Sequence, residues 1–293
     1  EGLTANRIQW IAGIINGTSN FILTEMRDKG SAFADVLAEA QRLGYAEADP
    51  TFDIEGHDAA HKLTIMAALA YGIPMQFDKA YLEGISKLTA RDIRYAEELG
   101  YRIKLLGITR RTDKGVELRV HPTLIPEKRL IANVDGVMNA VMVKGDAVGA
   151  TMYYGAGAGS LPTASAVVAD IVDVTRLATA DPEHRVPHLA FQPDRLADLA
   201  ILPISEVESS YYLRVNVIDR AGVLAELTRI LASEGISIEA LIQKGSEREA
   251  EAEIVLLTHR VVEKHVNAAI AQIEALDSVT GSVTKLRMEA LNG

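Results

Sequence analysis

Proline density divides this chain. Four of its 9 prolines, Pro182, Pro187, Pro193 and Pro203, fall within residues 181–210. Each removes a backbone donor and fixes φ, so regular structure cannot run through such a stretch. The spacing predicts two folded parts joined by an ordered connector over 181–210, with one short helix at about 194–200. A length of 293 residues fits that division, at about 100–200 residues per domain.

The part after the connector, 211–291, reads strand, helix, strand, strand, helix, strand. The strands are predicted at 211–218, 236–243, 252–258 and 279–288, and the helices at 223–233 and 262–275. That order is the ferredoxin-like split βαβ arrangement. The part before the connector opens on a β-favouring apolar run, 7–15, closed by Asn16-Gly17. Helical patterns follow. Ser31 is placed to cap one that stops at Gly44, another covers 56–71, and Thr89 with Asp92 forms a capping pattern for one that stops at Gly100. From 101 to 154 the text is strand-like, with a turn at 112–115. A glycine-rich run, Gly155-Ala156-Gly157-Ala158-Gly159, then leads into a helix at 162–179.

Composition removes several classes of function. Forty acidic residues against 30 basic ones give a net charge of -10, a poor balance for binding nucleic acid or an anionic membrane surface. No apolar run approaches the ~18–20 residues that span a bilayer. Cys is 0, which removes disulfides, thiolate metal sites and cysteine nucleophiles and fits a reducing cytoplasm. The chain opens Glu1-Gly2-Leu3 without Met and without a secretory signal, which predicts further sequence upstream of Glu1.

The richest chemistry lies in 44–62. A loop carrying Glu47, Asp49, Asp53 and Glu55 precedes a helix that begins near His57. Asp58 and Lys62 are four apart and share a face. The same line continues to Ile65 and Leu69, so the stripe is predicted to face the core. Burial and the helix N-terminus would favour the neutral amine of Lys62, which could then exchange a proton near neutral pH. By spacing alone, a surface ion pair is the better account of Asp58 and Lys62. Gly155–Gly159 lacks the G-x-G-x-x-G spacing of a dinucleotide fingerprint and the Lys of a P-loop; a ligand-facing loop and a tight structural turn both remain open. Residues 16–20 read as a polar-substrate loop or a turn plus N-cap, and 219–224 as a carboxylate-binding helix start or a plain turn. His57 and His61 have no third ligand nearby, so no metal site is expected.

Taken in order, four segments resemble homoserine dehydrogenases: 16–20 (NGTSN), 43–50 (LGYAEADP), 53–62 (DIEGHDAAHK) and 155–164 (GAGAGSLPTA). Residues 211–291 resemble an ACT domain, a small-molecule-sensing module. The resemblance implies an α+β fold. A substrate-binding and dimerisation domain, a mixed sheet with helices, covers 1–180; the proline-rich connector covers 181–210; a ferredoxin-like βαββαβ ACT domain covers 211–293. It also implies that the family's Rossmann nucleotide-binding domain and its monovalent cation site lie outside this chain. The implied reaction is the NAD- or NADP-dependent interconversion of L-homoserine and L-aspartate 4-semialdehyde, in threonine, isoleucine and methionine biosynthesis. Carried over by motif position, Lys62 is the proton-transfer residue. Glu47, Asp58, Asp53 and Thr18 bind substrate, and Gly44 and Gly159 meet the nicotinamide cofactor. Asp219, Gly222, Val223 and Leu224 would hold a regulatory amino acid such as L-threonine. A cytoplasmic homodimer or homotetramer is implied. The competing expectation is a non-catalytic amino-acid sensor built on the ACT module.

Overall fold

The computed structural model describes residues 2–178, 190–245 and 251–292. The chain forms two units. One comprises Glu1–Pro122, Glu127–Leu202 and Asn292–Gly293, and the other Thr123–Pro126 and Pro203–Leu291.

In the first unit, β1 (Ile8–Ile14) leads into α1 (Gly17–Lys29), α2 (Phe33–Arg42), α3 (Thr51–Ile54) and α4 (His57–Tyr71). Then come β2 (Tyr81–Leu82), α5 (Ala90–Glu98), β3 (Tyr101–Thr112), β4 (Gly115–Pro126), β5 (Met138–Gly145), β6 (Gly149–Ala156) and α6 (Ser160–Ala178). The strands pair in the order β6-β5-β1-β3-β4, and β2 runs parallel to β4 at Tyr81↔Arg119. Strand β1 is flanked on both sides, with Ile11 opposite Thr109 of β3 and Val143 of β5. Residues 10–14 of the strand are buried on both its faces, which explains their apolar text, since a strand covered on both faces has no polar side to show.

Local signals set the helix ends. The Asn16 side chain accepts from the Ser19 amide, Gly30 closes α1 at φ 64°, and Thr89 with Asp92 makes a full capping box at α5. Ser31 does not cap α2; Ala32 sits there and makes no side-chain cap.

Two further expectations fail in this unit. Ile65 and Leu69 are 45% and 41% exposed. The core instead takes the face of α4 that carries Ala60, Leu63 and Ala67. An almost wholly apolar helix does not announce by period which side water keeps. The short helix at 194–200 is only a 3-10 turn, Pro193–Arg195, because the prolines around it deny the chain its donors. Pro182 and Pro187 lie outside the described residues. Helix α6 has no buried residue; Leu161, Val168, Ile171 and Val174 all face outward.

The second unit runs β7 (Glu208–Ile218), α7 (Val223–Ser233), β8 (Ile238–Gly245), β9 (Glu251–Thr258), β10 (Val261–Val262), α8 (Glu263–Glu274) and β11 (Thr284–Met288). Strand β7 therefore starts inside the stretch expected to be connector. The order is β11-β7-β9-β8 with antiparallel pairing throughout, the ferredoxin-like arrangement expected from the strand and helix sequence. Leu213, Val215, Leu227, Leu231, Leu256, Val266 and Ile273 fill the space between the helices and the sheet.

Beside that core lies a closed ionic group. Glu263 accepts from Arg287 Nε at 2.7 Å and from Lys285 Nζ at 2.8 Å. Burial works to raise the Glu263 carboxyl. The guanidinium and ammonium outweigh it and hold the group below the ordinary carboxylate range.

Candidate active site

The chain brings five separated segments to one cavity of about 520 Å³ in the first unit. Asn16, Gly17 and Thr18 come from the junction of β1 and α1, and Gly44 and Tyr45 from the loop after α2. Asp53, Asp58 and Lys62 come from α3 and α4. Val137 and Asn139 come from the start of β5, and Gly157, Ala158 and Gly159 from the loop after β6.

Backbone geometry draws the acidic residues together. Between α3 and α4 the chain turns at Gly56, φ 85°. A side chain is strained in that left-handed conformation, and a Cβ there would also come within 3.0 Å of Val120 Cγ1. The turn lets Asp53 from one helix and Asp58 from the next reach a single donor. Asn16 Nδ2 donates to Asp53 Oδ1 at 2.7 Å and to Asp58 Oδ2 at 2.9 Å. Its amide orientation follows from the network, because the oxygen is already used to cap α1 at 2.8 Å. Ser19 Oγ donates to the Asp53 carbonyl at 3.0 Å and ties the turn to α1.

Lys62 completes the group. Its ammonium donates to Asp58 Oδ2 at 2.7 Å and to the Ile15 carbonyl at 3.0 Å. An ammonium has three donors, so one is left for a ligand among the described residues. The side chain is 51% exposed. The burial expected for Lys62 is therefore not there, because the face of α4 that carries it opens on the cavity. Two carboxylates and one ammonium leave a net negative charge, which suits a ligand bearing a cationic group.

Other candidates divide. Gly44 and Gly159 line the cavity, and Gly159 has φ 119°. Thr18 lines it too, but its hydroxyl donates to the Tyr45 carbonyl at 2.7 Å, so it anchors the 44–50 loop. Glu47 is not among the lining residues; its backbone carbonyl accepts from Gln41 Nε2 at 3.0 Å. His57 and His61 stack on aromatic rings, with His61 and Phe77 centroids 4.1 Å apart and His57 and Phe52 centroids 6.2 Å apart. Sequence reasoning saw Asn16 only as part of a polar loop and missed its place as hub. It missed Asn139 altogether, since one Asn in a strand carries no spacing signal.

In the second unit Asp219, Gly222, Val223 and Leu224 all line a cavity of about 280 Å³, together with Gln243 and Ile254. Gly222 starts α7 at φ 97° with no side-chain cap, so the first amides of the helix are open to an acceptor.

The sequence matches the homoserine dehydrogenase family model over residues 1–172 and the ACT domain model over 211–278. It is 70% identical over 292 residues to a homoserine dehydrogenase of Neisseria gonorrhoeae, covering 100% of this chain and 67% of that protein. The crystal structure of a homoserine dehydrogenase from Thiobacillus denitrificans superposes with a TM-score of 0.95 at 73% identity, over 100% of this chain and 66% of that one. A hyperthermophilic archaeal homoserine dehydrogenase solved in complex with NADPH matches with a TM-score of 0.50 at 29% identity, over 59% of this chain and 49% of that one. The chain thus spans about two thirds of the length of the Neisseria and Thiobacillus proteins. Among the described residues no helix is long and apolar enough to cross a membrane. By sequence, fold and the motifs at its cavity, this chain belongs to the homoserine dehydrogenase family and carries an ACT domain.

Proposed function

We propose that this chain supplies the substrate-binding and proton-transfer part of a homoserine dehydrogenase, interconverting L-homoserine and L-aspartate 4-semialdehyde with NADP or NAD. The observation that carries the reading is the Asn16–Asp53–Asp58–Lys62 network, open on one side to a cavity walled by Gly157–Gly159.

The wall fits a flat cofactor ring. Gly44 and Gly159 present no side chain there. When bound, the nicotinamide takes up or gives the hydride. Lys62 handles the proton at the substrate oxygen. As the neutral amine it receives the hydroxyl proton during alcohol oxidation; as the ammonium it returns one to the carbonyl oxygen during aldehyde reduction. Asp58 and the Ile15 carbonyl aim Nζ, and Asn16 fixes Asp58 against Asp53. The negative charge of the site attracts the substrate ammonium. Glu47, two residues beyond Tyr45, is its further partner in this reading, and Thr18 holds the loop between them. The part of the relatives' length that this chain does not span would carry the nucleotide-binding domain, and the outward apolar face of α6 offers it a surface. A cytoplasmic homodimer or homotetramer completes the reading.

Replacing Lys62 by Ala in the whole enzyme tests it. Turnover should fall by about 10²–10⁴-fold, the usual range for a general acid–base, with cofactor affinity unchanged. Unaltered turnover would remove Lys62 from the role.

The 280 Å³ cavity of the second unit favours a regulatory amino acid, with L-threonine as the first candidate. Asp219 would meet its ammonium and the open amides of 222–224 its carboxylate. Calorimetry should detect threonine binding that Asp219→Ala weakens; an unchanged isotherm would contradict the site.

A further inference from the structure

The chain leaves β1 through two consecutive residues that hold both members of the Asp58–Lys62 pair. The Ile15 carbonyl accepts from Lys62 Nζ at 3.0 Å, and Asn16 Nδ2 donates to Asp58 Oδ2 at 2.9 Å. Lys62 Nζ donates to that same oxygen at 2.7 Å. Strand β1 is paired on both sides, so residues 15 and 16 leave a rigid element. The place of Nζ is set from there, since the four-carbon stem of a lysine is flexible and does not fix it from α4.

Asn16 is itself fixed. It is 6% exposed, its oxygen takes the Ser19 amide at 2.8 Å, and its other N–H goes to Asp53 Oδ1 at 2.7 Å. A side-chain amide has two N–H donors. Both are spent on carboxylates, so Asn16 works through its partners. Asp53 and Asp58 carry like charges and stand at hydrogen-bond distance from one nitrogen. A bridge between them has to donate twice. A hydroxyl has one proton and satisfies one carboxylate. A lysine or arginine would satisfy both and cancel the negative charge of the site. Asparagine donates twice and leaves that charge in place.

We propose that Asn16 is a positioning residue for the reaction: its amide pins the two carboxylates at one point and, through Asp58, aims Lys62 at the substrate oxygen. The assignment rests on the reading of Lys62 given above.

The test is Asn16→Ser in the whole enzyme, alone and combined with Lys62→Ala, with turnover read per folded molecule. Serine caps a helix as well as asparagine does, so α1 keeps its start while the carboxylates lose their shared donor. With homoserine and NADP+, kcat should fall by about 10–10²-fold, the scale of a small misplacement of reacting groups. KM for NADP+ and the thermal midpoint should stay at the parent's values. In the Lys62→Ala background the same change should cost less than about twofold, because residues that act as a unit are not additive. Parent turnover in Asn16→Ser overturns the proposal. So does a loss that recurs in full in the Lys62→Ala background, which separates Asn16 from Lys62. If Asn16→Ser melts lower, Asn16→Asp is read in the same way, since it caps α1, fills the volume of the amide and donates to neither carboxylate. Lowered midpoints in both variants with turnover intact make Asn16 a framework residue and overturn the proposal. The reading of the site fails separately: parent turnover in Lys62→Ala alone refutes that reading, and the proposal with it.

Discussion

Two lysines of the first unit, each paired with an aspartate, place one chemistry in two different surroundings. Lys62 meets Asp58 at 2.7 Å and Lys104 meets Asp135 at 3.0 Å. Lys62 is 51% exposed and has a donor to spare. Lys104 is 2% exposed and spends all three donors, on Asn20 Oδ1, the Val134 carbonyl and Asp135. Burial pushes Lys104 below the ordinary lysine range, against the pull of Asp135. The buried, down-shifted lysine that the text around 62 suggests is thus found at 104, where it braces the 134–138 turn. An ion pair with every donor used holds a structure. One with an unused donor facing a cavity can serve a substrate.

The largest expected effect that sharpens this contrast falls on catalysis. Lys62→Ala should cost about 10²–10⁴ in turnover and almost nothing in folding, since an exposed pair contributes about 0–1 kcal/mol.

Next is the closed ionic group of the second unit. Glu263→Gln removes the carboxylate that Arg287 and Lys285 share, charge-assisted hydrogen bonds worth about 1.5–3 kcal/mol. The same group has a pH signature. Its folded carboxyl titrates below the ordinary range, so its stabilisation is present above about pH 4.3, the unperturbed glutamate value. It is lost as pH falls further through the folded value. Acid unfolding followed by circular dichroism should show the parent losing stability in that window and the Gln variant losing less.

Lys104→Ala should lower stability by about 2–3 kcal/mol, because Asn20 and the Val134 carbonyl lose a buried donor. Asp135, being partly exposed and bonded also to Arg27, falls back on water and that partner. Chemical denaturation measures the loss. Equal stability in parent and variant would break the contrast from this side.

Much of the fold was legible because its signals are local. Thr89 and Asp92 announce the start of α5 by their side-chain chemistry. The alternation of strand and helix patterns after residue 210 suffices for the ferredoxin-like unit, whose pieces each bury one face. The outward turn of Ile65 and Leu69 was not legible, since the choice of face on a nearly uniform helix is made by what packs against it. The site was legible where residues cluster in sequence, as with Asp53, Asp58 and Lys62. It was opaque where folding alone makes the neighbours: Asn16 reaches Asp58 across 42 positions, and Asn139 meets Gly157 only through the β5–β6 hairpin. The tight fit at Gly157 was hidden for the same reason, because its crowding comes from a side chain on another strand.

The central claim, that Lys62 belongs to the chemistry and not to the framework, is tested most directly by measuring turnover and thermal midpoint together for Lys62→Ala in the whole enzyme. Turnover lower by at least about 10²-fold with the midpoint essentially unmoved is the expected result. A lowered midpoint with turnover per folded molecule intact would contradict it.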